Sequence, residues 1–139
     1  MSDCVFCEIL AGRLERSLCY EDDVAVGLMD IRPMNPGHVL VMPREHIESL
    51  GDLDDETGGR LFTVARRIST AIRRSGVRCE GVNLFLADSE AAGQDVFHVH
   101  LHVVPRFESD GVRIECDWPP PPSREELDTV ASRIRDGYE

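Results

Sequence analysis

The sequence has no apolar run long enough to cross a bilayer, and its N-terminus, MSDCVFCEILAGR, has neither the basic start nor the apolar core of an export signal. The expectation is a cytoplasmic protein with no membrane partner. Positive charge is also scarce: 15 Lys+Arg against 26 Asp+Glu give a formal net charge of -11 and a pI near 4.8. Without a Lys/Arg field, polymeric nucleic acid is a poor partner, whereas a small anionic ligand needs only a few local donors. Nor is there a disulfide framework. The five cysteines are an odd number in a chain without an export signal, which favours thiols or metal ligands. Cys19, Cys79 and Cys116 have no partner spacing and read as small apolar residues. Repeats and low-complexity tracts are missing too, apart from the four prolines of WPPPP at 118–122.

What is present fits one domain over residues 1–139, long enough to bury a core without covalent staples. Val5, Phe6, Ile9 and Leu10 before Gly12 suggest a short helix. SLCYE at 17–21 and VAVGLMD at 24–30, joined at Asp22-Asp23, read as a hairpin. RPMNPG is a loop leading into HVLVMP at 38–43, a third strand closed by Pro43. Asp54 and Asp55 are candidate caps for a helix from about Glu56 to Arg74, with Leu61, Val64, Ala65, Ile68, Ala71 and Ile72 at helical spacing. GVNLFLA at 81–87 is a fourth strand, and a turn, DSEAAGQD, precedes a fifth. SREELDTVASRI carries Ser123 and Glu126 as a capping box. Sequential strands with one long helix between them predict an α+β fold with an antiparallel sheet.

The fifth strand, HVHLHVVPR at 98–106, sets three histidines at every second position, so that His98, His100 and His102 share one face. A lone histidine is usually a satisfied polar residue, but three half-buried titratable rings each need a partner. One metal does not collect all three. At about 3.3 Å rise per residue the outer Cα atoms lie roughly 13 Å apart, while zinc needs ring nitrogens within about 2.1 Å. The work is therefore divided. A central imidazole beside a second suits attack on phosphorus, one ring as nucleophile and the other donating to a phosphate oxygen. Upstream, AAGQD at 91–95 is small enough for backbone N–H groups to approach a phosphate, though such a turn is more often only a turn. Cys4-x-x-Cys7 has the spacing of zinc knuckles and redox pairs; no βαβ pattern surrounds it, which weakens the redox reading.

These residues resemble the histidine triad family. The resemblance rests on His98-Val99-His100-Leu101-His102-Val103-Val104 and extends through MDIRPMNPGHVLVMPREH at 29–46 and AGQDVFHVHLHVVPR at 92–106. It covers most of residues 4–106, leaving 107–139 as a C-terminal extension. It implies a five-stranded antiparallel sheet with one long helix and short terminal helices, a homodimer joined through that helix and a strand, and a purine nucleotide substrate. It further implies that His100 attacks the α-phosphorus to give a nucleotidyl-histidine intermediate, that His102 holds the phosphate, and that Gln94 with the Gly93 and Asp95 backbone binds the same group or the leaving atom. Asp30 would accept from the ribose hydroxyls, with a turn cap as its alternative. Phe6, Ile9, Leu28 and Ile31 would line the base pocket, or simply be core, and His38 would stand behind the nucleophile. By the same resemblance Cys4, Cys7, His46 and His98 form a closed, structural zinc site. The chain departs from many relatives at Ala87 and Asp88-Ser89, where a phosphate contact is lost, and at Asp95, where some carry Ser or Thr; a carboxylate there repels anionic leaving groups or, protonated, acts as an acid.

The expected activity is hydrolysis or transfer at the α-phosphorus of nucleoside phosphoramidates or dinucleoside polyphosphates. Two alternatives remain open on sequence: a nucleotide-binding sensor or interaction protein with negligible turnover, and a zinc-stabilised scaffold. Trp118 either covers the pocket or packs at a dimer interface.

Overall fold

The computed structural model describes residues 3–138. Its strands are β1 (Leu18–Glu21), β2 (Ala25–Met29), β3 (Val39–Pro43), β4 (Gly81–Phe85) and β5 (Leu101–Arg106), in one antiparallel sheet of order β1-β2-β3-β5-β4. The helices are α1 (Val5–Leu10), α2 (Asp55–Arg74) and α3 (Arg124–Asp136). This is the α+β architecture that the order of strands and the one long helical pattern predict.

Each sheet face has its own apolar cover. Val39, Val41, Val99 and Val103 bury against the α2 stripe of Leu61, Val64, Ala65, Ile68 and Ile72. On the opposite face Val26, Leu28, Leu40 and Met42 pack with Phe6 of α1. Because strand side chains alternate, Val99 and Val103 of the histidine run point to α2 and its histidines point to the α1 side. Asp54 caps α2, its Oδ1 accepting from Thr57 N at 2.7 Å, and Arg73 and Arg74 sit in the last turn where the helix dipole favours cations.

The fifth strand differs from expectation at its start. Its ladder begins at Leu101, so that His102 is paired, opposite Leu40 and Phe85, while residues 98–100 are an unpaired lead-in. The reason lies in β3, which would face this lead-in with Pro43, a residue without an N–H to donate. The chain binds elsewhere: Val99 N donates to Ile47 O at 2.7 Å, and the Pro43 carbonyl is taken by the His98 ring at 2.8 Å. The alternation of side chains survives the loss of the ladder.

Beyond β5, Asp110 folds the turn back. Its carboxylate accepts from Arg106 Nε at 2.7 Å, Asn35 Nδ2 at 2.8 Å and the Val112 amide at 3.0 Å. Ser123 caps α3 by accepting from Glu126 N at 3.1 Å, as the capping box predicts, but no residue of α3 is buried. Trp118 is 85 % exposed.

Asp22 is the junction between hairpin and helix. Oδ1 accepts from Val24 N and Ala25 N at 2.7 Å each, and Oδ2 from Tyr20 Oη at 2.7 Å and Arg60 Nη1 of α2 at 3.1 Å. Burial works against its charge, yet these donors outweigh it and hold the carboxyl well below the usual carboxylate range. Replacing Asp22 by Ala strips acceptors from four donors at once. We expect a loss of about 2 kcal/mol or more in urea unfolding; a change under about 0.5 kcal/mol, the range of ordinary surface substitutions, would show that the junction carries no weight.

Candidate active site and metal-binding cluster

The fold gathers the histidines of two strands on the α1 side. His38 enters from the loop before β3, His98 and His100 from the lead-in to β5, and His102 from β5 itself. Gly37 makes the approach possible: its φ of +96° is a conformation glycine tolerates, and a Cβ there would meet Val77 Cγ1 at 2.9 Å.

The hydrogen bonds of the four rings fix where their protons sit. The carbonyl of His98 can only accept, so His100 Nδ1, 2.8 Å away, donates to it; the lone pair of His100 is then on Nε2. Among the described residues that nitrogen has no hydrogen bond, and Asp95 Oδ1 faces it at 3.8 Å. The Met34 amide can only donate, so His38 Nδ1 accepts at 3.1 Å and the ring carries its proton on Nε2. That proton goes to His102 Nδ1 at 2.9 Å, which leaves His102 Nε2 as an N–H donor. His98 Nε2 donates to Pro43 O, which turns its Nδ1 lone pair toward the cysteines. One ring thus offers a lone pair, its neighbour offers a proton, and their centroids are 5.0 Å apart.

Packing holds these tautomers. Phe6 meets His100 and His98 edge-on, with centroids 5.0 and 5.9 Å away, and Phe85 stacks on His102 at 4.1 Å with 13° between the planes. Burial pushes the His38 and His98 pKa values down, with Asp30 partly opposing this for His38. Burial, then the neighbouring His100 and His38 rings, lower His102 to about 4.

Cys4, Cys7, His46 and His98 converge at the end of α1, with all four donor atoms within 4.8 Å of one another. A tetrahedral zinc with about 2.3 Å bonds to sulfur and about 2.05 Å to nitrogen has sulfur–nitrogen edges of about 3.5 Å. The observed edges are 3.5 Å for Cys4–His98, 3.6 Å for Cys7–His98 and 3.4 Å for Cys7–His46. Both ring nitrogens turned to the cluster are Nδ1; the outer nitrogens meet Pro43 O and, at 3.4 Å, Glu48 Oε1, the outer partners that orient metal-bound imidazoles. The donor set and its spacing fit zinc.

Other expected residues divide. Asp30 accepts from Arg32 N through Oδ1 at 2.8 Å, the turn-capping role named as its alternative, while Oδ2 lies 3.5 Å from His38 Nε2. Phe6 and Leu28 are buried, Ile9 is half-buried and Ile31 is 94 % exposed, so of the four apolar residues only Ile31 presents a whole side chain to a ligand. Gln94 departs from the expected phosphate contact. Its Oε1 accepts from Ser89 N at 2.7 Å and its Nε2 donates to Glu48 O and Val96 O at 2.8 and 3.2 Å, so its amide is consumed in holding the loop. Gly93 N and Gln94 N donate within the turn, to Glu90 O and Ser89 O, whereas Asp95 N has no hydrogen bond among the described residues. The Met34 amide, the Pro43 carbonyl and Phe85 were not legible in the sequence as parts of the site; an amide reveals nothing in a sequence, and Phe85 reads as one more strand residue.

The lowered histidines make stability depend on pH. An unfolded imidazole takes a proton near pH 6.5 and folded His102 near 4, so the stability from neutral rings is complete above about 6.5 and is lost as pH falls toward 4. We expect the melting temperature to drop between pH 7 and 5, and to drop less in His38→Asn. Equal slopes in the two proteins would refute the assignment of this effect to the His38–His102 pair.

Comparison with known proteins agrees with this geometry. Residues 11–109 match the HIT domain family model. A HIT-like protein of Borreliella burgdorferi is 44 % identical over 112 residues, covering 80 % of this chain and 81 % of that one. Adenylylsulfatase HINT3 of Arabidopsis thaliana is 33 % identical over 117 residues, 84 % of this chain and 56 % of its own. Among solved structures, SMU.412c of Streptococcus mutans superposes with a TM-score of 0.92 at 34 % identity, over 100 % of this chain and 87 % of that one. A zinc-bound histidine triad protein of Mycobacterium smegmatis gives 0.77 at 38 % identity over 98 % of each. With its three alternating histidines, its sheet and its matched domain, this chain belongs to the histidine triad (HIT) family.

Proposed function

We propose that the protein is a nucleotide hydrolase or transferase that works at the α-phosphorus of nucleoside phosphoramidates or dinucleoside polyphosphates. The observation that carries this reading is the fixed lone pair on His100 Nε2 beside the Nε2–H of His102. In the first step His100 Nε2 forms a bond to the α-phosphorus, the bond to the leaving group breaks, and the leaving atom keeps the electron pair and takes up a proton from solvent. In the second, water forms a bond to the same phosphorus, the bond to His100 breaks, and a nucleoside monophosphate leaves while the water's proton passes to solvent. His102 Nε2–H and the Asp95 amide would donate to the phosphoryl oxygens as charge develops. The ribose would lie at Asp30 and a purine against Ile31. Gln94 shapes the turn, and His38 holds the His102 tautomer. This assignment takes residues 1–139 as one domain, cytoplasmic, with the HIT core at 4–106. Among the described residues, no helix is long and apolar enough to cross a membrane. Two copies would pair through α2, where Phe62 is exposed, and the open edge of β4, where Leu84 and Phe85 are exposed too.

Cys4, Cys7, His46 and His98 would hold a structural zinc. A metal there supplies cross-linking: it ties α1 to the lead-in of β5 and fixes the His98 carbonyl that orients His100. Four protein ligands leave no position for water.

Intact-protein mass spectrometry after brief exposure to an adenosine 5′-phosphoramidate tests the chemistry. We expect an AMP-sized adduct or AMP release in wild type, lost in His100→Asn; nucleotide binding with neither product would overturn the phosphoramidate reading. For the metal, elemental analysis should find zinc in the purified protein, and Cys7→Ser should lose it and melt several degrees lower. A metal-free wild type that melts unchanged on zinc addition would remove the structural role.

A further inference from the structure

Resting on the nucleotidyl-transfer reading, one contact bears on what can leave. His100 is 95 % shielded, yet its Nε2 is unbonded among the described residues, and Asp95 Oδ1 faces it at 3.8 Å. That carboxylate is 84 % exposed and makes no hydrogen bond among the described residues, so its charge is not neutralised by a neighbour. Asp95 also lines a surface cleft. Asp3 and Glu48 line it too, with Val5 and Phe97 as apolar walls; no Lys or Arg does, and its one basic residue, His46, is turned to the thiol cluster. The carboxylate that faces His100 Nε2 thus belongs to an acidic stretch of surface, and a group displaced from phosphorus by His100 would depart beside it.

We infer that Asp95 selects the leaving group: the site cleaves bonds from the nucleotide to amines that carry a positive charge in preference to bonds whose leaving group is an anion. The balance of each step is that given above, and the phosphoryl charge cancels because every substrate has it. What differs is the leaving group alone. A cationic one is attracted to Asp95 in both the bound state and the transition state; a sulfate, phosphate or carboxylate-bearing one is repelled. At the separations a substrate allows, and in a solvent-exposed site, two unit charges alter a rate ratio by about tenfold.

The probes are two adenosine 5′-phosphoramidates of matched length, one made with propane-1,3-diamine and ending in an ammonium, the other with β-alanine and ending in a carboxylate. For wild type we expect kcat/KM to favour the diamine compound by about tenfold or more, with the ratio shrinking as salt is raised. In Asp95→Asn it should fall to within about twofold of unity, and Asp95→Glu should restore it. Adenylyl sulfate, whose leaving group is an anion, should gain relative to the diamine compound in Asp95→Asn. A wild-type ratio near or below unity, or a ratio unmoved in Asp95→Asn, overturns the role of Asp95 while a His100 adduct leaves the chemistry standing. Failure to cleave either amide, with no His100 adduct, overturns nucleotidyl transfer to His100 and the selectivity built on it together.

Discussion

The hydrogen bond from His100 Nδ1 to the carbonyl of His98 joins the two halves of the site. Its acceptor belongs to a residue whose ring is held from both ends, by Pro43 O on one side and by the Cys4–Cys7–His46 cluster on the other. A carbonyl that cannot move dictates which nitrogen of His100 bears the proton, and so which carries the lone pair. From the ring that meets the cysteines to His100 is a step of two residues. A similar relay fixes His102: the Met34 amide, through His38, leaves its outer nitrogen as a donor. Neither relay survives if the ring at its end turns over, and the close packing of Phe6 on His100 and of Phe85 on His102 opposes that.

The same packing explains why two adjacent, similar rings can act differently. An isolated imidazole near neutral pH exchanges tautomers and protons freely. Here burial keeps His38 and His102 neutral, and a neutral ring has one donor and one acceptor, so each neighbour's demand settles the next. Burial has a cost in acid, where the unfolded rings take protons that the folded ones do not.

Net charge poses a second constraint. A chain at -11 repels a nucleotide at long range. Its candidate phosphate donors are therefore local and neutral, an imidazole N–H and a backbone amide at Asp95. Phosphate affinity drawn from such donors leaves the electrostatics of the surroundings free to discriminate between leaving groups.

Much of this was legible in the sequence because it depends on period and spacing. Alternation put the three histidines on one face and Val99 and Val103 on the other, the spaced apolar stripe of residues 61–72 marked α2, and the Asp22-Asp23 and Asp54 signals placed a turn and a cap. Cys4-x-x-Cys7 has the spacing of a ligand pair, and the family resemblance named His46 and His98, which the fold brings to the two thiols. Tertiary structure decided what needs partners from distant segments. It stopped the β5 ladder at Leu101, because Pro43 lies opposite the lead-in and has no N–H. It turned Gln94 into a loop staple, because Glu48 O and Val96 O reach its amide first. It set the tautomers, because carbonyls and amides from residues 34, 43 and 98 meet the rings only after folding. A sequence records which groups can donate or accept; only the folded chain determines which of them meet.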